Sequence, residues 1–329
     1  MKRVFLYSYL LIFFFSTFPE AAARKDTVAR LAPKISGIVN MRYKYIDAGE
    51  GSNGFDIRRA RLDFKGDVAP SLNYRIHVEF ARNPKILDAF VNWRLMNALN
   101  IKAGEFKIPF SLENRYSASA LEMVDNSMVI TALSGYNDVS GISANGRDIG
   151  VNFYGKFSLV EDYHLFEYSV GLFNGNGINV ADNNESKDFS GTFAIHPLKD
   201  ITLLASHYNG SAGRQGENLK RVRTGGGARF DNNKLLVRGE YICGETGDME
   251  NEGYYVVAGC FVHPKVQTLL KYDRFERDIL VKEMRQTNYI VGINYFPVEN
   301  FHFKLNYSRR TTVGAPDSNH VALQFFVVF

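Results

Sequence analysis

Seven basic residues in the first third of the chain, Arg42, Lys44, Arg59, Arg61, Arg75, Arg94 and Lys102, sit in stretches where polar and apolar residues alternate. In an extended strand successive side chains point to opposite sides, and by that parity all seven share one face. A ladder of guanidinium and ammonium groups attracts anions and can hand them along in steps. Arg holds a phosphate-like group in a bidentate fork, whereas Lys acts as a point charge. Asp63, Glu79 and Asp88 lie on the same face and blunt its field. The alternative is therefore a mixed-charge, solvated face whose ion pairs brace the strands.

Other reactive residues lack the context that catalysis or metal binding needs. Gly225-Gly226-Gly227 has no following helix to cradle a phosphate and reads as close strand contact. His196-Pro197 and His263-Pro264 lie in tight turns with no carboxylate or second His nearby in sequence, so a turn is the better reading than a metal site. No nucleophile elbow, HExxH or CxxC occurs. No catalytic residue, metal or cofactor is expected. Cys243 and Cys260 flank GETGDMENEG; if that segment is a hairpin loop they lie at similar heights on neighbouring strands, and a disulfide and two free thiols are equally open.

The elements that must carry these residues are strands. From residue 34 onward, segments of about ten residues alternate and are separated by turn residues, the pattern of a membrane barrel. In LNYRIHVEF, Leu72, Tyr74, Ile76, Val78 and Phe80 oppose Asn73, Arg75, His77 and Glu79. ILDAFVNWRL sets Leu87, Ala89, Val91, Trp93 and Leu95 against Asp88, Phe90, Asn92 and Arg94. The last segment puts Val321, Leu323, Phe325, Val327 and the terminal Phe329 on one face.

About sixteen such strands are expected, beginning at 34–47 and ending at 319–329. Their connections alternate in length. DVAPS, MNA, HPLKD, DNN, HPK and PVE are tight, while the intervening ones are mostly longer, including NGNGINVADNNESKD, GETGDMENE and a connection over about 109–146. Short turns at one end and long loops at the other are what a barrel with both termini in the periplasm produces. A soluble sandwich has no reason to sort its loops by parity. The fold expected is an all-β transmembrane antiparallel barrel, with charges gathered on its wet inner face, because a lipid-facing Arg at mid-bilayer costs roughly 2–4 kcal/mol.

The amino terminus agrees. Lys2 and Arg3 precede an apolar run, and Ala21-x-Ala23 offers a cleavage site, so residues 1–23 read as a secretory signal peptide. Residues 24–33 would be a short periplasmic segment and 34–329 the barrel. Loss of Lys2, Arg3 and Glu20 takes the formal charge from +4 to +3, too little for a nucleic-acid binder. Tyr and Phe are abundant (18 and 26) beside a single Trp, which suits an all-β protein.

IRRARLDFKG, LNYRIHVEF, IKAGEFKIPFSLE and GRDIGVNFYGKF together resemble the phosphate-selective porin O and P family of bacterial outer membranes. The resemblance covers nearly all of the mature chain. It implies a sixteen-stranded barrel, usually a homotrimer, for passive diffusion of small anionic solutes among outer-membrane lipids and lipopolysaccharide. It also implies that the 109–146 loop folds inward and narrows the channel, bringing Glu113, Arg115, Asp125 and Asn126 to the constriction, and that Phe329 is read by the outer-membrane assembly machinery. Many relatives carry an acid–Arg–Ser step in that loop, where this chain has Asp125-Asn126-Ser127. A weakly anion-preferring pore is therefore the expectation rather than a strict phosphate channel. Within the loop, Ala118–Leu133 reads as a short helix with Leu121, Val124 and Met128 on one side. Two other functions are weighed: a barrel phospholipase, which would need a Ser-His-Asn arrangement on the outer wall whereas His77 and His302 face inward, and a plugged structural or adhesive barrel.

Overall fold

A computed structural model describes residues 32–47, 51–160, 163–182, 186–212 and 219–329. The expected signal peptide, and most of the segment assigned to 24–33, lie outside them. Sixteen strands run in chain order: β1 (Lys34–Asp47), β2 (Ser52–Ala69), β3 (Leu72–Glu79), β4 (Lys85–Met96), β5 (Leu99–Lys107), β6 (Arg147–Val160), β7 (Tyr163–Phe173) and β8 (Asp188–Leu198). The second half holds β9 (Ile201–Ala212), β10 (Leu219–Asp231), β11 (Leu235–Thr246), β12 (Met249–His263), β13 (Val266–Glu276), β14 (Arg285–Val298), β15 (Phe301–Thr312) and β16 (Ala315–Val328). Each pairs antiparallel with its chain neighbours, and β1 closes on β16. Closure leaves no strand edge unpaired, which is the condition for a sheet to survive in hydrocarbon.

The seam is closed by the chain end. Gly37 and Phe329 exchange backbone hydrogen bonds of 2.6 and 3.0 Å, and Gln324 donates to Asn40 Oδ1 at 3.0 Å on the inner face. The Phe329 ring lies so close over Gly37 that an added Cβ would sit 2.3 Å from it. A side chain there would have to displace the ring, and the backbone angle at Gly37 is not itself one that demands glycine.

Polarity is inverted relative to a soluble protein. On β14 the outward Tyr289, Val291, Ile293 and Tyr295 are about half exposed, while the inward Asn288 and Asn294 are buried. On β15, Leu305 and Tyr307 face out and His302, Lys304 and Asn306 face in. An apolar belt this continuous would aggregate in water and is at rest in lipid.

Four expectations are corrected. Leu87, assigned outward by parity, is fully buried. A β-bulge, at which His77 pairs with Asp88 and Val78 with Ile86, absorbs the extra residue and turns it inward. GETGDMENE is not a long loop: β11 and β12 continue through it to a two-residue turn, with Gly247 at φ +59°. The cysteines are free and not level. Cys243 lies opposite Glu252 and Cys260 opposite Leu235, about 27 Å apart along the ladder at ~3.4 Å per residue and far beyond disulfide reach. The helix expected over Ala118–Leu133 is confined to α1 (Met128–Leu133). Before it, a single turn closes on the Ser117 carbonyl, which accepts from the Ala120 and Leu121 amides, and the residues from Leu121 to Val124 then bond backbone groups to the barrel wall.

Candidate functional site

The connection between β5 and β6, residues 108–146, is bonded along its length to inward side chains of the wall. Near its start, buried Glu240 of β11 accepts from the Leu112 amide at 2.7 Å, the Ser111 hydroxyl at 3.0 Å and the Glu113 amide at 3.3 Å. In its middle, Asn294 of β14 donates to the Glu122 carbonyl at 3.0 Å, and Lys304 of β15 donates to the Leu121 carbonyl. The Val124 amide donates to Asn306 Oδ1, and the Met128 amide to Asp273 of β13, each at 2.8 Å. These bonds commit backbone groups that a longer helix would have needed. Towards its end, Asp138 meets buried Arg223 of β10 at 2.8 Å; burial pushes the Asp138 carboxyl up, but Arg223 and Arg221 outweigh it and hold the group below the usual carboxylate range.

Apolar packing completes the docking. Val129, Ile130 and Leu133 of α1, with Phe110 and Met123, join Tyr208, Ile242, Tyr255, Leu269 and Phe275 of the wall in one buried cluster. Room is made by glycine: a Cβ on Gly253 would lie 2.8 Å from the Val129 side chain. Gly227, expected to mark strand contact, also faces the loop, since a Cβ there would meet the Leu112 side chain at 3.3 Å. A loop held this way fills the β8–β15 side of the interior.

The opposite side stays open. Between the loop and β1–β3 lies a cavity of about 1490 Å³. Its lining carries thirteen Lys or Arg against five Asp or Glu, an excess of eight positive charges, whereas the whole chain carries only +4. Lys44, Arg59, Arg61 and Arg75 line it, as do Arg115, Asp125 and Asn126 of the loop. Arg42 is close by, 2.6 Å from Asp56 and 3.5 Å from Asp125.

Two basic residues and one acid are placed elsewhere. Arg94 sits at the short-turn end, bonded to Asp67 at 2.8 Å and to the Pro70 carbonyl at 3.0 Å. Lys102 rests its ammonium over the Phe90, Phe106 and Tyr154 rings, 4.7–5.2 Å from their centroids. Glu113 is buried between loop and wall, accepting from Ser127 N at 2.7 Å and pairing with Arg238 at 3.1 Å.

Parity misses Arg58. A bulge lets Asn40 pair with Arg59 and Met41 with Ile57, so Arg58 and Arg59 both reach the cavity. Arg58 is 2.7 Å from Asp125 and donates to the Val124 carbonyl at 2.8 Å. Lys107 and Arg147, at the two ends of the loop, were missed as well and line the same space. The only sequence signal for them is the basic run Arg58-Arg59 and the positions flanking the longest connection.

The wall acids are largely matched. Arg61 pairs with Glu79 at 2.7 Å, Arg75 with Asp63 at 2.8 Å, and Arg147 with Asp88 at 2.9 Å. Both readings of the basic face are therefore present in one wall: ion pairs brace it, and the surplus cations face the opening. Arg59 lines that opening and has no ion pair among the described residues.

The family model of phosphate-selective porin O and P matches residues 39–241 and 238–325. No curated protein sequence matches the chain. Among solved structures, the fold is similar to an anion-selective porin from Comamonas acidovorans, with TM-score 0.72 at 15% identity, covering 91% of this chain and 99% of that one. It is also similar to OprB of Pseudomonas putida, with TM-score 0.65 at 10% identity over 93% and 96% of the two chains. The trimer form of OmpT, an outer membrane protein of Vibrio cholerae, superposes with TM-score 0.60 at 14% identity over 91% and 99%.

Proposed function

The chain belongs to the phosphate-selective porin O and P family, and on that premise we propose that this outer-membrane porin passes small anions through the opening between its inward loop and β1–β3. The observation that carries the reading is the positive excess on the lining of that opening, eight by its own residues and still positive after Asp56, Asp88 and Glu167, which stand behind it against Arg82, Arg147 and Arg115, are counted. Fixed charges act over a Debye length of about 8 Å at physiological salt, so a solute in the passage remains within their field. Low-dielectric walls concentrate that field further.

Selectivity is for anions as a class. The phosphate-like bidentate site that a lone Arg could offer is largely spent: Arg42, Arg58, Arg61 and Arg75 already hold carboxylates. Arg59 is the guiding residue, a lining arginine without a carboxylate partner among the described residues; Lys44 also lines the opening but is paired with Asp125 at 3.2 Å, and the Lys107 ammonium donates to the Asn114 and Tyr116 carbonyls. The loop narrows the passage by occupying the other side of the lumen. The reaction is passive diffusion without catalysis. Supporting this over a hydrolase, His77 is buried against Asp88 at 3.0 Å on the inner wall and His302 is stacked on Phe326, so neither serves a lipid-facing nucleophile. The trimer form of the Vibrio cholerae neighbour supports a homotrimer. Phe329, at the closing seam, is the signal read by the assembly machinery.

The test is the reversal potential of the purified protein in planar bilayers under a potassium chloride gradient, followed by phosphate titration. The expected result is chloride preference with shallow phosphate block. Cation preference would remove the anion reading; strong block at low phosphate would restore a dedicated phosphate site.

A further inference from the structure

At the short-turn end of the barrel, His164 and Glu167 of β7 meet His196 of β8. The His164 Nε2 lies 3.5 Å from Glu167 Oε2, and His196 Nε2 lies 3.7 Å from Glu167 Oε1. One ligand atom from each residue falls within 4.8 Å of the others, and the imidazole centroids are 4.6 Å apart. No periodicity predicts this. His164 and Glu167 are three apart and should face opposite ways. The pairing of Phe157 with Phe166 and of Ser158 with His164 leaves Leu165 bulged out of register, which turns both residues to one side.

His196 is set up as a ligand. Its Nδ1 is 3.1 Å from the Thr202 hydroxyl, while its Nε2 is buried without a hydrogen-bond partner. With Nδ1–H donating to Thr202, the Nε2 lone pair points at Glu167. A hydrogen-bond acceptor behind the imidazole, most often a carboxylate, backbone carbonyl or water, is the usual support of a metal-bound histidine, and the Thr202 hydroxyl holds that place here. Two imidazoles and one carboxylate suit zinc, with positions left for water. A tetrahedral ion with bonds near 2.0–2.1 Å needs donor atoms about 3.3 Å apart; the two His–Glu separations, 3.5 and 3.7 Å, run to different oxygens of Glu167, so the side chains, whose donor atoms lie within 4.8 Å of one another, must close on one oxygen as the ion enters.

Glu167 is at present neutralised by Arg115 of the inward loop, with Lys156 at 3.9 Å. We propose that His164, Glu167 and His196 form a divalent-cation site that takes zinc and that competes with Arg115 for the Glu167 carboxylate. Arg115 also lines the passage, so filling the site frees one tether of the loop. The competition gives the proposal a signature that a purely structural cluster lacks.

The experiment titrates zinc alone into the tag-free, detergent-folded barrel by calorimetry, with cobalt absorption as a second probe of coordination. One ion per chain is expected, with the visible cobalt band of a nitrogen-containing site. Thr202→Val should weaken zinc by about tenfold or more, and the His164→Ala/His196→Ala double variant should abolish it. Arg115→Ala should tighten it several-fold, because the competing cation is gone. Heat-modifiable gel mobility confirms that each variant is folded. If the wild type binds no zinc, if binding persists in the double variant, or if Arg115→Ala weakens it, the site is overturned; the wild-type cobalt spectrum decides even should a variant fail to fold.

Discussion

Arg58 and Asp125 lie 2.7 Å apart, joining a bulge of the wall to the inward loop across one edge of the passage. Lys44 at 3.2 Å and Arg42 at 3.5 Å complete the clamp, so a single loop carboxylate contacts three wall cations and offsets one unit of their charge. Asp125→Asn should remove that offset without removing the loop, which is held mainly on the opposite wall. The reversal potential in a salt gradient is expected to move further towards the chloride limit. A shift towards potassium would show that these cations do not face the solute.

The same cluster sets a pH dependence. Desolvation by the surrounding loop and wall pushes the Asp125 carboxyl up, even though its side chain is about half open to the cavity, but Arg58, Lys44 and Arg42 outweigh it and hold the group well below the usual carboxylate range. A folded value below the unfolded one means that the bridge is at full strength above about pH 5 and is lost only as pH falls through the depressed folded value. Selectivity in the wild type should therefore stay flat from about pH 8 to pH 5 as far as Asp125 controls it. A transition near pH 4 that disappears in Asp125→Asn would contradict this.

Arg59 is flanked by two paired arginines and is itself unpaired among the described residues. Arg59→Gln should lower both chloride preference and phosphate block while leaving the barrel intact. Arg94→Gln, bonded to Asp67 at the short-turn end, should change neither measurably. Equal effects of the two would deny Arg59 its special place.

Glu240 supports three donors at the root of the loop. In Glu240→Gln an amide NH2 faces at least one of them, and each stranded buried donor costs about 1–3 kcal/mol. The wall ladder is untouched, so gel mobility should be that of a folded barrel while single-channel current becomes noisier and the loop becomes open to protease. A quiet, protease-resistant variant would show that the apolar cluster around α1 suffices.

With Cys243 and Cys260 eight positions out of level, no intramolecular disulfide forms. Unreduced protein, denatured in detergent, should react with two maleimides per chain. One blocked pair would require a different register between β11 and β12.

Sixteen strands, their alternating turn lengths and the wet or greasy identity of most faces were legible because strand alternation is local: each residue's side follows from its neighbour's. The family resemblance was legible for a similar reason, as long contiguous motifs. Where a bulge adds one residue, the parity argument inverts from that point on, and that is why Leu87, Arg58 and the His164–Glu167 pair escaped it. Bulges answer to the geometry of closing sixteen strands on themselves, which no single segment contains. The side of the lumen that the loop fills was likewise beyond the linear chain. It follows from Glu240, Asp273, Asn294, Lys304 and Asn306, inward residues on separate strands that face one another only after closure. Composition and periodicity thus determined a barrel with a charged, wet interior; the tertiary structure alone decided which cations are spent on carboxylates and which face the opening, because an ion pair between distant residues is a property of distance in space.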